Sequence, residues 1–155
     1  MAPYNFSDQL KRSSKKFNTM IQKPALSSSD AMTILEAARR EAQANNWNVS
    51  IAVCDEGGHL LAFTRMDNAN IASAAISQSK AHTAVLMKKE TRLVEEMINQ
   101  GRSAFISAPG IQGMLEGGVP IFAAGFCVGA VGVSGVQADQ DAQVATAGIA
   151  ALALP

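Results

Sequence analysis

The chain has 155 residues, which is the usual size of one domain, and its 13 basic and 13 acidic side chains cancel to a formal net charge of zero. Neutrality argues against nucleic-acid binding, because that function needs a basic face to displace counterions from phosphates. Hydrophobic residues make up 48% of the chain and charged residues 17%, so its surface favours packing against further subunits.

The chain shows no signal for export or for a membrane. No stretch reaches the roughly 20 apolar residues that a bilayer span needs, and the N-terminus lacks the apolar region and the cleavage site of a secretory signal. We therefore expect a cytoplasmic protein. Cys54 and Cys127 lie in apolar segments without zinc-site spacing, so we expect buried free thiols and no metal site.

Residues 1–22 are polar and rich in lysine, which favours an N-terminal arm over a core element. The arm is either a solvated extension or a segment that wraps a neighbouring subunit. Lys23-Pro24 then leads into the main domain, which is expected to span residues 23–155.

The first helix is predicted from a capping box. Ser27 and Asp30 have the spacing at which a hydroxyl and a carboxylate satisfy the free backbone donors of a helix start. Apolar residues follow at helical spacing, and Asn45-Asn46 ends the run.

A hairpin is predicted next. From Trp47 to Cys54 apolar and small residues alternate with a period of two, and a second β-compatible run extends from His59 to Met66. Gly57 and Gly58 supply the positive φ that a tight reversal demands, so the two runs should pair.

Two helical stretches come after the hairpin, from Ile71 to Lys89 and from Thr91 to Asn99. A loop rich in Gly, Ser and Pro is expected from Gly101 to Gly118. The buried stripe of the longer helix is predicted to consist mostly of small residues. Its members are Ala74, Ala75, Gln78, Ala81, His82, Val85 and Leu86.

A second hairpin is predicted from Val119 to Val133, with its turn at Ala123-Ala124-Gly125. Glycine recurs along its second strand, which costs stability unless something approaches the backbone closely, so we expect a helix or a ligand against that strand. A final helix should run from Asp139 to Leu154.

This order of elements predicts an α/β (α+β) fold with an antiparallel sheet flanked by helices, because strands joined by tight turns cannot be parallel. Four segments also occur in an order that is specific to one family. They are Val53 to Asp67 (VCDEGGHLLAFTRMD), Lys80 to Ala84 (KAHTA), Gly117 to Ile121 (GGVPI), and Val128 to Gly135 with Gln140-Asp141.

From about Ala31 to the C-terminus the chain resembles the GlcG/HbpS-like family, also called haem-degrading or DUF336 domains. The resemblance implies a profilin-like fold and a homo-oligomer, often an octamer built from dimers. Family members include haem-binding proteins, the C-terminal domain of a corrinoid adenosyltransferase, and proteins encoded among enzymes that degrade glycolate, diols or aromatic compounds. The fold alone therefore does not decide the chemistry.

Two functions stay open. In the first, the chain is a cofactor-independent catabolic enzyme, a hydrolase, deaminase or tautomerase, that acts on a small unstable imine, enamine or enol carboxylic acid. His82, Glu56 and Lys80 are its candidate catalytic residues. The acid group would be held by substrate-binding residues, for which the candidates are Arg65, Arg102 and Ser103.

In the second, the chain is a non-catalytic haem-binding protein with haem at a subunit junction. The candidate axial ligands are His82, His59 and Met32. Each candidate also has a structural interpretation. His59 and Glu56, like the neighbouring Asp55, would be turn residues, and His82 would be a core histidine. Arg65 and Lys80 would be ion-pair or surface residues, and Arg102 would cap a helix. The chain carries no P-loop, G-x-G-x-x-G, HExxH or G-x-S-x-G motif.

Overall fold

The structure is a computed structural model, and it describes residues 20–153. Within that range it contains four α-helices, one 3-10 turn and four strands. In chain order they are α1 (Ser28–Ala44), β1 (Ser50–Asp55), β2 (Leu60–Arg65), α2 (Ser73–Met87), α3 (Thr91–Asn99), the 3-10 turn (Ser103–Ser107), β3 (Gly118–Ala123), β4 (Phe126–Ser134) and α4 (Ala138–Ala150). Of the predicted arm, residues 1–19 lie outside the described residues.

The strands form one antiparallel sheet in the order β2-β1-β4-β3, as the two predicted hairpins require. Helices α1 and α4 cover one face and α2 covers the other. The fold is therefore the predicted α+β arrangement of a sheet flanked by helices.

Both reciprocal hydrogen bonds of the predicted capping box are present at the start of α1. The Ser27 hydroxyl accepts the backbone N–H of Asp30 at 3.1 Å, and the Asp30 carboxylate accepts the backbone N–H of Ser27 at 2.9 Å. This exchange satisfies free backbone donors at the start of α1.

The predicted first strand begins too early. Trp47 donates its backbone N–H to Ala42 at the end of α1, and pairing with β2 and β4 starts only at Ser50. The alternation starts at Trp47 because that side chain packs on the core beneath α1. A residue can pack there without belonging to a strand.

Glycine in β4 has the role that the sequence analysis expected. A Cβ at Gly132 would clash with the backbone of α2 at Ser77 and Ala81. Helix α2 therefore lies almost in contact with the strand, and glycine is the residue that permits this.

The buried stripe predicted for α2 is wrong in part. The helix buries seven residues, Ser73, Ser77, Lys80, Ala81, Thr83, Ala84 and Val85, whereas Leu86 is 46% exposed. The close approach to β4 selects short side chains for the contact, and the buried hydroxyls are hydrogen-bonded, so their polarity does not prevent burial. Hydrophobic periodicity cannot detect a face of this kind.

Candidate functional site

A cavity of about 440 Å³ lies between the first hairpin, α2 and the loop before β3. Its volume falls in the range of small-molecule sites. The lining residues come from all three segments and are mostly small or polar. They are Cys54, Gly58, Leu60, Gln78, Ser79, Ala81, His82, Gly110 and Gln112.

His82 is the titratable imidazole of this cavity, and its orientation is fixed by the hairpin. Its Nδ1 lies 3.2 Å from the carbonyl oxygen of Gly58. A carbonyl oxygen only accepts hydrogen bonds, so Nδ1 must carry the proton and donate it. In the neutral ring Nε2 then keeps its lone pair, which is the tautomer that a metal-binding or proton-accepting histidine needs.

Gly58 is required by this contact for two reasons. Its φ is +82°, a conformation that residues with a side chain rarely adopt. A Cβ at this position would also run into the imidazole ring of His82. The second glycine of the hairpin is therefore part of the cavity wall as well as part of the turn.

Asp55 holds the turn in shape. Its Oδ1 accepts the backbone N–H of Gly57 at 2.8 Å and that of His59 at 2.9 Å. Partial desolvation alone would raise the pKa of Asp55, but the hydrogen bonds from the backbones of His59 and Gly57 outweigh it and lower that pKa. Asp55 is thus a turn former, as its structural interpretation predicted.

The loop wall of the cavity is attached to α2 through Thr83. The Thr83 hydroxyl donates to the carbonyl oxygen of Gln112, and the backbone N–H of Gln112 donates back to the same hydroxyl at 3.1 Å. Thr91 binds the end of this loop in the same way, at Leu115 and Gly118. The loop is therefore held at two points around the cavity.

Cys54 contributes a buried thiol that the sequence analysis did not assign to a site. Burial raises its pKa to about 12, so the thiol stays protonated and behaves as a small apolar group. A signal for it was present: on β1 the small residues Ser50, Ala52 and Cys54 share one face, and Ile51 and Val53 share the other.

Lys80 lies away from this cavity, in a buried ion pair. Its Nζ donates to Asp141 Oδ2 at 2.9 Å and to the carbonyl oxygen of Val133 at 2.9 Å. Desolvation raises the pKa of Asp141, against the opposing effect of the Lys80 ammonium. The geometry matches the ion-pair interpretation of Lys80.

The other predicted site residues are dispersed. Glu56 forms a salt bridge with Lys23 at 3.4 Å, and the His59 side chain, 82% exposed, contacts Asp55. Arg102 packs over the Phe105 ring at 4.9 Å beside the exposed Ser103.

Two predicted residues belong to other parts of the fold. Met32 lies on α1, which covers the opposite face of the sheet from α2, and Arg65 lines a different depression at the far end of β2. Among residues 20–153 the structure thus brings only His82, of the predicted set, into the cavity.

Comparisons with known proteins agree with the motif resemblance. A family model described as haem degrading protein HbpS-like matches residues 26–150. Protein GlcG of Escherichia coli (strain K12) is 54% identical over 115 residues, which are 74% of this chain and 85% of that protein.

Two solved structures share the fold. A doubly substituted HbpS of Streptomyces reticuli superposes with a TM-score of 0.81 and 30% identity, covering 98% of this chain and 97% of that one. A crystal structure of PduOC in complex with haem superposes with a TM-score of 0.76 and 27% identity, covering 85% of this chain and 98% of that one. Within residues 20–153, no helix has the length and apolar character to cross a bilayer.

Proposed function

This chain belongs to the HbpS-like family, and from that premise we propose that it is a haem-binding protein in which His82 supplies an axial ligand. The observation that carries the proposal is the hydrogen bond from Nδ1 of His82 to the Gly58 carbonyl. It holds the ring so that Nε2 is available as a ligand atom, as in many metal-binding histidines.

Exposed apolar side chains beside the His82 cavity offer a surface on which a flat macrocycle could lie. In the sheet register Leu60 opposes Cys54 and Phe63 opposes Ala52, so Leu60 and Phe63 share the face of the sheet that α2 covers only in part. Leu60 is 48% exposed and Phe63 is 37% exposed, which leaves apolar surface beside the cavity. The neutral thiol of Cys54 adds an apolar wall.

The two other predicted ligands, His59 and Met32, are less well placed to bind haem iron. Nδ1 of His59 already contacts Asp55 at 3.3 Å and the ring stands in solvent, where no wall would shield a macrocycle. Met32 is 49% exposed on the far side of the sheet. The structurally similar PduOC was crystallised in complex with haem, which supports haem as the ligand.

When bound, haem supplies an iron centre whose reactivity depends on the axial ligand and on the polarity of its pocket. The chain's own residues orient the imidazole through Gly58 and supply apolar lining through Cys54 and Ala81, and Gln78 and Gln112 add polar residues to the lining.

The enzyme hypothesis is not supported. It requires a cation beside His82 to hold a carboxylate, and the side chains predicted for this, Arg65 and Arg102, lie elsewhere in the fold. Lys80 is committed to Asp141, and Glu56 is paired with Lys23.

We also propose that the protein is a homo-oligomer with the haem at a subunit junction. The exposed Leu60 and Phe63 would then be covered by a second copy, which would complete an apolar site that one chain leaves open.

Haemin titration followed by absorbance tests the assignment. The wild-type chain should give a saturable Soret band, and His82→Ala should lose it while keeping its far-UV circular dichroism. His59→Ala is the matched control, because it removes the other histidine of the described residues, and Met32→Leu removes the third predicted ligand. Both should bind haemin as the wild type does. Unchanged uptake by His82→Ala, or loss in either control variant, would disprove the role of His82.

A further inference from the structure

The two outer strands of the sheet differ in what their edges offer to a further strand. On β3 the Gly117 carbonyl accepts the N–H of Val133 at 2.9 Å, so the backbone of Gly117 faces β4. Backbone groups alternate along an antiparallel strand, so Gly118 and Pro120 face outward. Gly118 donates its N–H to the Thr91 hydroxyl at 2.8 Å, and proline has no N–H. The edge of β3 is therefore closed to strand pairing.

Strand β2 has an open edge. Met66 donates its backbone N–H to the carbonyl oxygen of Val49 at 3.0 Å, so Met66 faces the β1 side. By the same alternation the backbones of Phe63 and Arg65 face outward, away from β1. Each presents an N–H and a carbonyl oxygen at the edge. Leu61 and Phe63 are 36% and 37% exposed, so the edge also carries apolar side chains.

This edge is complementary to itself when a two-fold axis relates two copies of the chain. Paired residues of an antiparallel ladder lie on the same face of the sheet, and outward-facing positions meet each other. An axis at Phe63 satisfies both conditions and brings the two Phe63 rings together. Asp67 and His59 lie equally far from Phe63 along the chain, so the carboxylate of one copy lies near the imidazole of the other. Apolar groups thus meet at the centre, and an acid meets a base at each end.

Antiparallel pairing carries Arg65 of one copy to the His82 cavity of the other. With the axis at Phe63, Arg65 lies opposite the residue that follows Leu60, and Leu60 lines the cavity. Arg65 opposes Ser50 on β1, and the Ser50 hydroxyl is hydrogen-bonded to α2. Leu60 opposes a β1 residue that packs against α2. Both side chains therefore stand on the α2 side of the sheet.

The His82 cavity lacks a cation for the carboxylates of the ligand proposed above. Haem carries propionate groups, whereas no lysine or arginine of the described residues lines the cavity. Arg65 forms no salt bridge among residues 20–153. An arginine binds a carboxylate through parallel N–H groups, so Arg65 of a second copy would supply the missing partner.

We propose that two copies pair through β2 around a two-fold axis at Phe63, and that Arg65 of each copy binds a haem carboxylate in the His82 cavity of the other. The inference rests on the proposed haem function and names the residue that a second copy adds to the site. Lys80 and Glu56 keep their own ion pairs in this dimer, so it assembles no catalytic set.

Cysteine cross-linking tests the pairing and its register. Facing residues at such an axis have Cα atoms about 5.5 Å apart, which a disulfide can bridge. Phe63→Cys should therefore give a disulfide-linked dimer on mild oxidation, seen on a non-reducing gel. Thr64→Cys is the matched control, because it faces Ala62 of the other copy and its side chain points to the opposite face of the sheet.

Two results of this experiment would overturn the pairing. One is the absence of a cross-link in Phe63→Cys, which is the result expected if any other segment covers the edge of β2. The other is an equal yield in Thr64→Cys and Phe63→Cys.

A mixing experiment shows whether Arg65 acts across the interface. Arg65→Gln removes a charge-assisted hydrogen bond, so haemin should bind at least about tenfold more weakly. Arg39→Gln, on α1 at the opposite face, is the control and should bind haemin as the wild type does. Co-expression of Arg65→Gln with His82→Ala should restore wild-type affinity in part of the sites. A mixed dimer joins His82 of one chain to Arg65 of the other, which neither variant does alone.

Haemin uptake separates this inference from the function on which it rests. If the wild-type chain binds haemin and Arg65→Gln binds it equally well, or the mixture shows no recovery, the role of Arg65 is refuted and the haem function stands. If the wild-type chain takes up no haemin, the haem function and the role of Arg65 fail together. The Phe63→Cys cross-link decides the β2 pairing in either case.

Discussion

At the scale of single residues, one backbone carbonyl determines the chemistry available to His82. The Gly58 oxygen fixes the proton on Nδ1, and the turn that places this oxygen depends on the hydrogen bonds accepted by Asp55. The hairpin therefore lines the cavity and also orients a cavity residue of another element.

Gly58→Ala tests this coupling. The substitution forces a side chain into positive φ and against the His82 ring, so it should cost about 1–3 kcal/mol of stability and weaken haemin binding. Urea denaturation and haemin titration measure the two effects. Gly57→Ala is the control, because a Cβ there would meet the movable and exposed His59 ring. Equal effects of the two substitutions would contradict the coupling.

Asp55 should make stability depend on pH in acid. Its folded-state pKa is lowered from the usual 3.8, so the unfolded chain binds the proton more readily. The stabilisation is complete above about pH 4 and is lost as the pH falls through the folded-state pKa.

Asp55→Asn should reduce the dependence of the free energy of unfolding on pH in acid, as measured by urea denaturation at a series of pH values. Glu56→Gln, which changes the neighbouring carboxylate, should retain the wild-type slope. A wild-type slope in Asp55→Asn would contradict the assignment.

At the scale of elements, α2 is attached to the sheet by polar as well as apolar contacts. Its contact with β4 depends on Gly132, and Lys80 reaches past the sheet to Asp141 on α4, the helix of the opposite face. The buried pair thus joins the two helical layers, and removing one partner leaves the other charge buried.

Lys80→Met should therefore destabilise the protein by about 3–5 kcal/mol. The double substitution Lys80→Met with Asp141→Leu should be less destabilising than Lys80→Met alone, because it removes the stranded carboxylate as well. Chemical denaturation of both variants measures the difference. A double variant less stable than Lys80→Met would refute this account of the pair.

At the scale of the whole molecule, the two faces of the sheet are covered unequally. Helices α1 and α4 close one face, and α2 is the main helix on the other, where Phe63 and Phe122 remain 37% and 47% exposed. Both outer strands, β2 and β3, also lack a partner on one side within the described residues. Such a surface is typical of chains that associate.

We expect light scattering after size exclusion to give a mass that is a multiple of 16.2 kDa, with dissociation in Phe63→Glu. Leu93→Glu is the matched control, because Leu93 is also 37% exposed but lies on α3. A monomeric wild-type chain, or equal dissociation by both substitutions, would rule out an interface at Phe63.

Local signals in the amino-acid sequence were sufficient to predict the hairpins, the capping box, the order of elements and the family. The period of two, the glycines at reversals and the Ser27–Asp30 spacing each act between residues that are close in the chain. The close contact on β4 was also predictable. Glycine inside a strand costs stability, so its presence often indicates that another backbone or a ligand comes near.

Which candidate residues meet depends on the tertiary structure alone. His82 and Gly58 are 24 residues apart, and Lys80 and Asp141 are 61 apart, so no local pattern could predict the hydrogen bond or the ion pair. The same holds for the separation of Arg65 from His82, since Arg65 ends β2 whereas His82, on α2, lies against the turn at the other end of the hairpin. Residue type limited the chemistry that was available, and long-range packing selected the residues that can perform it.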